Sequence, residues 1–151
     1  MTNDAPSPAL IALFVVAFVG LWLLVGLLLS ELSGWASLAR RYPGGPRPEG
    51  VRLRGQVVGM GAVGEKGVTT LVPTAAGLYL YSHPLFRFRR PPVLVPWSEI
   101  RYAGELGFLF WRSIGLDLGP VTRMRVKRDA YQALAPYLEM RVGGRDARSI
   151  A

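Results

Sequence analysis

The 151-residue chain contains no cysteine, a single histidine and only two lysines. Without cysteine there is neither a disulfide framework nor a thiolate metal site, a composition compatible with a reducing compartment. His83 has no Asp, Glu or second His at ligand spacing, so a zinc site is not supported. Charge is scarcest of all near the start. None occurs between Ala9 and Leu29, and all 18 Lys and Arg residues lie after that run.

What fills the uncharged run is Leu, Ile, Phe, Val, Ala and Trp22 around the whole helical wheel, interrupted only by Gly20 and Gly26. At ~1.5 Å rise per residue it spans roughly 31 Å, close to the hydrocarbon thickness of a bilayer. The run is longer than a buried core helix needs and has no polar face, which favours a spanning helix over residues 9–29. Gly34-Trp35-Ala36 resembles a signal-peptidase site, but residues 1–8 hold Asp4 and no basic residue, against the positive start that a signal peptide requires. Arg40, Arg41 and Arg47 follow the run closely, so the positive-inside rule puts the N-terminus outside and the rest in the cytoplasm. Sixteen Arg against two Lys, with abundant Ala, Gly, Pro and Val, is a high-GC coding pattern. The expected location is therefore a bacterial inner membrane.

Residues 30–50 read as a juxtamembrane segment. Leu32, Trp35, Leu38 and Ala39 recur at helical spacing, as in an amphipathic continuation of the spanning helix, with Trp35 at headgroup depth and Arg40 and Arg41 reaching phosphates. Pro43, Gly44, Gly45, Pro46 and Pro48 then form a linker. From Val51 to Lys127 the period changes to two, with Gly and Pro punctuation. This predicts seven strands, at 51–58, 68–72, 77–82, 93–96, 99–105, 109–118 and 121–127. Gly77 is expected in the left-handed region of a tight hairpin. In the strand after it Leu78 and Leu80 face one way and Tyr79 and Tyr81 the other. Pro96 marks an edge or a bulge, and Gly119-Pro120 the last turn. Asp129 with Gln132 resembles a capping box opening a helix whose stripe is Leu134, Tyr137 and Leu138, and Pro136 should kink or break it. The domain is thus expected over 51–142, and the tail 143–151 is expected to be disordered.

Seven strands and one closing helix is the element order of the pleckstrin-homology (PH) superfold. Thr74-Ala75-Ala76-Gly77-Leu78-Tyr79-Leu80 resembles the T-x-x-G-L-Y-L hairpin of bacterial PH-like and GRAM-like domains, and the run Pro91 to Ile100 resembles their strand ending in P-W-x-x-I. With W-x-x-L-A-x-x-Y-P from Trp35 to Pro43, the chain is similar to uncharacterised bacterial single-pass proteins carrying such a domain. The resemblance implies a mainly β sandwich or barrel behind one transmembrane helix and hardly speaks for activity. The basic signature K-x(n)-[KR]-x-R of phosphoinositide-binding PH domains is missing from Gly59–Gly67, which holds one Lys.

Catalytic patterns are weak. Gly59, Gly61 and Gly64 spell G-x-G-x-x-G, but the β-branched residues after Gly67 read as a strand where a dinucleotide site needs a helix. Ser82 or Ser98 with His83 and Asp117 could be drawn as a triad, yet no G-x-S-x-G elbow supports it. No acidic pair suggests general acid and base work. The expectation is a non-catalytic module that uses no cofactor.

The remaining signal is basic. Nine of the ten acidic residues also follow Leu29, leaving a formal excess of nine positive charges there. Arg87, Arg89 and Arg90 interleave with Phe86 and Phe88, while Arg123, Arg125 and Lys127 alternate along one strand face. These six are the candidate contacts to anionic lipid or to a protein partner. On a tethered domain each well-placed basic residue contributes ~1 kcal/mol of attraction to an anionic leaflet. Nucleic acid is a poorer choice, since no recognition motif accompanies the charge. The alternative role is a small accessory subunit of a larger inner-membrane complex, with Gly20 and Gly26 allowing close helix packing.

Overall fold

The structure is a computed structural model that describes residues 5–64, 67–108 and 110–149. Helix α1 runs Pro8–Leu32, with Pro8 in its first turn and Ser7 capping it through Oγ, which accepts from the Leu10 N–H at 3.3 Å. Both are residues that favour a helix start. α1 is long and apolar enough to cross a membrane, and its most apolar eighteen-residue window is entirely unburied. That separates it from the core helix of a soluble protein.

The helix does not continue through residues 30–42 as one amphipathic rod. Gly34 adopts φ 75° and ends it, and α2 (Trp35–Arg41) begins afresh. A Cβ on Gly34 would also press on Thr122 at 2.9 Å, so glycine is needed here for both conformation and space.

The rest is mainly β. Strands β1 (Leu53–Arg54), β4 (Thr69–Pro73), β5 (Gly77–Ser82) and β6 (Val93–Pro96) form a four-stranded sheet in the order β1-β4-β5-β6. Strands β2 (Val57–Met60), β3 (Val63–Gly64), β7 (Ile100–Phe108), β8 (Trp111–Leu118) and β9 (Thr122–Val126) form a five-stranded sheet, β3-β2-β9-β8-β7. All pairings are antiparallel. Among the described residues nine strands thus stand where seven were expected. The run 51–58 is divided by Gly55, whose φ of 64° turns the corner between the two sheets, and β3 is too short to leave a periodic signal.

The inner faces of the sheets share one core. Leu71, Leu78, Leu80, Val93 and Val95 from the first meet Val57, Met60, Ile114, Leu116, Met124 and Val126 from the second. β5 alternates as its sequence demands: Leu78 and Leu80 enter this core, whereas Tyr79 and Tyr81 join Val72 and Leu94 on the opposite face. Helix α3 (Arg128–Ser149) caps the sandwich with Ala130 and Leu134, and Tyr137 stacks on Trp97 at 5.1 Å. Asp129 lies inside its first turn and not at the cap, and Pro136 sits within a single unbroken helix. The helix runs past Val142 as far as Ser149.

Two motifs have clear structural work. Thr74 Oγ1 bonds both the Gly77 carbonyl (2.7 Å) and the Gly77 N–H (3.1 Å), and Trp97 Nε1 donates to the Thr74 carbonyl at 2.7 Å. The T-x-x-G and P-W elements therefore form one hydrogen-bonded corner. Gly77 is not in the left-handed region. It is a glycine because a Cβ would collide with the Val95 backbone on the adjacent strand. Pro96 does end an edge strand. That edge is partly covered, since the Leu94 N–H donates to the Tyr42 carbonyl (3.1 Å) and Pro43 bridges Val93.

Candidate lipid-facing site

The end of α1 is built into the domain. Ser30 is the helix's one buried residue, and its Oγ donates to the Arg89 carbonyl at 3.0 Å. Ser33 Oγ donates to the Ser30 carbonyl at 3.1 Å, and the Ser33 carbonyl accepts from Thr122 Oγ1 at 2.9 Å. Gly61, at φ 57°, seats the β2–β3 hairpin on the helix end, where a Cβ would lie 2.9 Å from the Leu32 and Ser33 carbonyls. These contacts tie the helix to the five-stranded sheet and to the segment between β5 and β6.

That segment is a 3₁₀ helix, Pro84–Arg89. His83 starts it, its Nδ1 accepting from the Leu85 N–H at 3.4 Å, so the lone histidine has a structural task. The short helix lies beside the last turns of α1. Between them is a crevice of about 200 Å³ lined by Trp22, Gly26 and Leu29 on one wall and by Val68, Leu85 and Phe86 on the other. Leu85 is 65% and Phe86 44% exposed. Arg89 stands at the crevice and also lines a neighbouring recess of about 450 Å³ with Arg40, Arg87, Ser30 and Glu31.

The structure thus sorts the expected contact residues into separate groups. Arg87 and Arg89 are exposed and share the recess with Arg40, which also donates to Ser37 Oγ at 3.1 Å. Arg90 differs. It is buried, with its guanidinium 5.3 Å from the Trp35 ring centre, although it also lines the crevice. Arg41 is exposed but turned to Tyr42, whose hydroxyl accepts from its Nε at 3.0 Å. Trp35 does not reach headgroup depth: it is fully buried in the core, and its Nε1 donates to the Pro91 carbonyl at 3.0 Å. A large aromatic at helical spacing with Leu38 finds more apolar contact between the sheets than outside them.

Arg123, Arg125 and Lys127 do project from one face of β9, since Met124 and Val126 point into the core. They are unequal as ligands. Arg123 is held by Asp117 at 2.6 Å, which pushes the arginine above its ordinary pKa, and Arg125 lies across Gly59. Lys127 borders a different hollow with Phe110 and Arg112. Phe110 at the β7–β8 turn is 89% exposed, a feature missed in the sequence because the turn sits inside an apolar run. Leu85 and Phe86 were also missed as a site, although the interleaving of apolar and basic residues at 84–90 carried the signal.

The linker 43–50 is likewise packed. Tyr79 donates from its hydroxyl to the Gly45 carbonyl at 2.9 Å, and Arg47 covers Tyr81 at 4.3 Å from the ring centre. Burial raises the Tyr79 pKa, opposed by the nearby charges of Arg47 and Arg87. Gly59, Gly61 and Gly64 belong to the β2–β3 hairpin, and β4 follows them. Lys66, the one basic residue of that loop, lies outside the described residues. Among the described residues no three His, Cys, Asp or Glu side chains are grouped to hold a metal. Comparison with protein-family models, curated proteins and solved structures finds no match.

Proposed function

We propose that this chain is a membrane-anchored, non-catalytic binding module with a PH-like domain, held at the cytoplasmic face of a bacterial inner membrane and presenting arginines to anionic lipid. The observation that supports it is the gathering of Arg40, Arg87 and Arg89 around the end of an exposed apolar helix. If α1 spans the bilayer, those side chains stand at phosphate level, where basic residues are attracted to anionic headgroups. The open crevice beside them offers shape and the arginines offer charge, the elements of a binding site.

Because the chain lacks cysteine, one introduced thiol reports topology without a background. Ser98→Cys, on an exposed position of the domain, should react with a membrane-impermeant maleimide in inverted inner-membrane vesicles and remain unlabelled in intact cells. Labelling from outside would reverse the orientation. In the correct orientation, replacing Arg40, Arg87 and Arg89 together by Glu should remove the preference for phosphatidylglycerol over phosphatidylcholine among co-purifying lipids. Capture of a single stoichiometric protein on in-membrane cross-linking, with no lipid preference, would favour the accessory-subunit role.

A further inference from the structure

Arg89 belongs to two hollows of opposite character. On one side lies the apolar crevice over Gly26; on the other is the recess it shares with Arg40 and Arg87. We propose that the two together form a binding site for one anionic phospholipid, with an acyl chain lying in the crevice between Trp22, Leu29, Leu85 and Phe86 and the phosphate held by Arg89 and Arg87. The inference rests on the membrane-anchored reading above and names the ligand of that same region.

Four observations support this occupant. First, a Cβ on Gly26 would meet nothing within 4 Å, so the groove on α1 at this point is open and not filled by the domain. Second, the other wall carries large apolar side chains, Leu85 and Phe86, that are left substantially exposed. Third, from Leu29 back to Trp22 the helix rises about 10 Å, the depth to which interfacial apolar side chains enter the headgroup and acyl boundary. The 3₁₀ helix therefore reaches into the layer where chains begin. Fourth, the rim has the right charge: three arginines surround the recess, opposed only by Glu31. A neutral headgroup would leave that excess unanswered, whereas a phosphate with no compensating amine would meet it through charge-assisted hydrogen bonds. The site lies between α1 and the β5–β6 connection, with Val63 and Gly64 of β3 also lining the crevice.

The test is native mass spectrometry of the full chain extracted from bilayers of phosphatidylcholine and phosphatidylglycerol in equal amounts. The unaltered chain should retain one phosphatidylglycerol. Gly26→Leu should fill the crevice and abolish that retention, while Gly26→Ala, which leaves most of the space, should keep it. Leucine and alanine are both better helix formers than glycine, and near-ultraviolet circular dichroism should show both variants folded. Arg87→Gln with Arg89→Gln should weaken retention about thirtyfold, the loss of two basic contacts to an anionic surface. Equal retention of both lipids, or unchanged retention by Gly26→Leu, would overturn the site. The outcomes separate the two proposals. A silent Gly26→Leu beside an intact charge effect removes the crevice and leaves the basic rim, whereas outward labelling of Ser98→Cys removes the cytoplasmic reading and leaves the crevice result standing.

Discussion

Helices α1 and α2 are neighbours in sequence with opposite fates. α1 is the most apolar stretch of the chain, yet the one side chain it buries is a serine. α2 carries two arginines in seven residues, yet it sends Trp35 and Leu38 into the centre of the domain. The difference lies in periodicity. An apolar stripe at i, i+3 can be satisfied by one protein surface, whereas a helix apolar all round cannot be covered by a small domain. Hydrophobicity alone therefore does not say what is inside; the shape of the apolar surface does.

The strongest way to break this comparison is to cut between the two helices. A chain of residues 43–149 lacks Trp35 and Leu38 and should be unfolded or aggregated, whereas one beginning at Ser33 should give a soluble β-rich spectrum with a cooperative melt. If the shorter chain folds equally well, α2 is an appendage and the contrast with α1 fails. Single substitutions sharpen the same point. Trp35→Ala should cost ~3–5 kcal/mol in denaturant unfolding, in the range for large core aromatics. Leu13→Ala, on the exposed part of α1, should leave the domain's transition unchanged. The joint between the helices comes next. Gly61→Ala places a side chain at positive φ against the Leu32 and Ser33 carbonyls and should cost ~1–3 kcal/mol. Ser30→Ala removes one hydrogen bond to the Arg89 carbonyl and should cost ~1 kcal/mol. A larger loss from Ser30→Ala than from Trp35→Ala would mean that the joint, and not the core, governs stability.

Much of the architecture was legible because it is written in period. The exposed apolar helix, the alternation of β5, the edge position of Pro96 and the Leu134 stripe all follow from side-chain spacing. What was misread depends on partners distant in the chain. Trp35 between an apolar run and two arginines has the local signature of a membrane-interface residue, and only the return of Pro91 to its indole reveals otherwise. Arg90 is indistinguishable in sequence from Arg87 and Arg89. Its burial follows from being the residue at which the chain turns back toward Trp35. The split at Gly55 was hidden because both halves keep strand-like composition while entering different sheets. The site itself was half visible. Its arginines stood out as charge, but its apolar walls come from residues about sixty positions apart, Gly26 and Phe86, which no local pattern connects.

The corner at Ser33 and Gly34 has a mechanical side. It is braced by Thr122 and the adjoining Gly61 turn of the five-stranded sheet and, one turn earlier at Ser30, by the Arg89 carbonyl. A joint braced at two separate places transmits rotation as well as position. If α1 spans a bilayer as proposed, this helix, about 37 Å long from its 25 residues, must lean when the surrounding hydrocarbon layer thins. The β sandwich would then swing through the same angle, so that the far end of the domain moves as the tip of a lever whose other arm is α1.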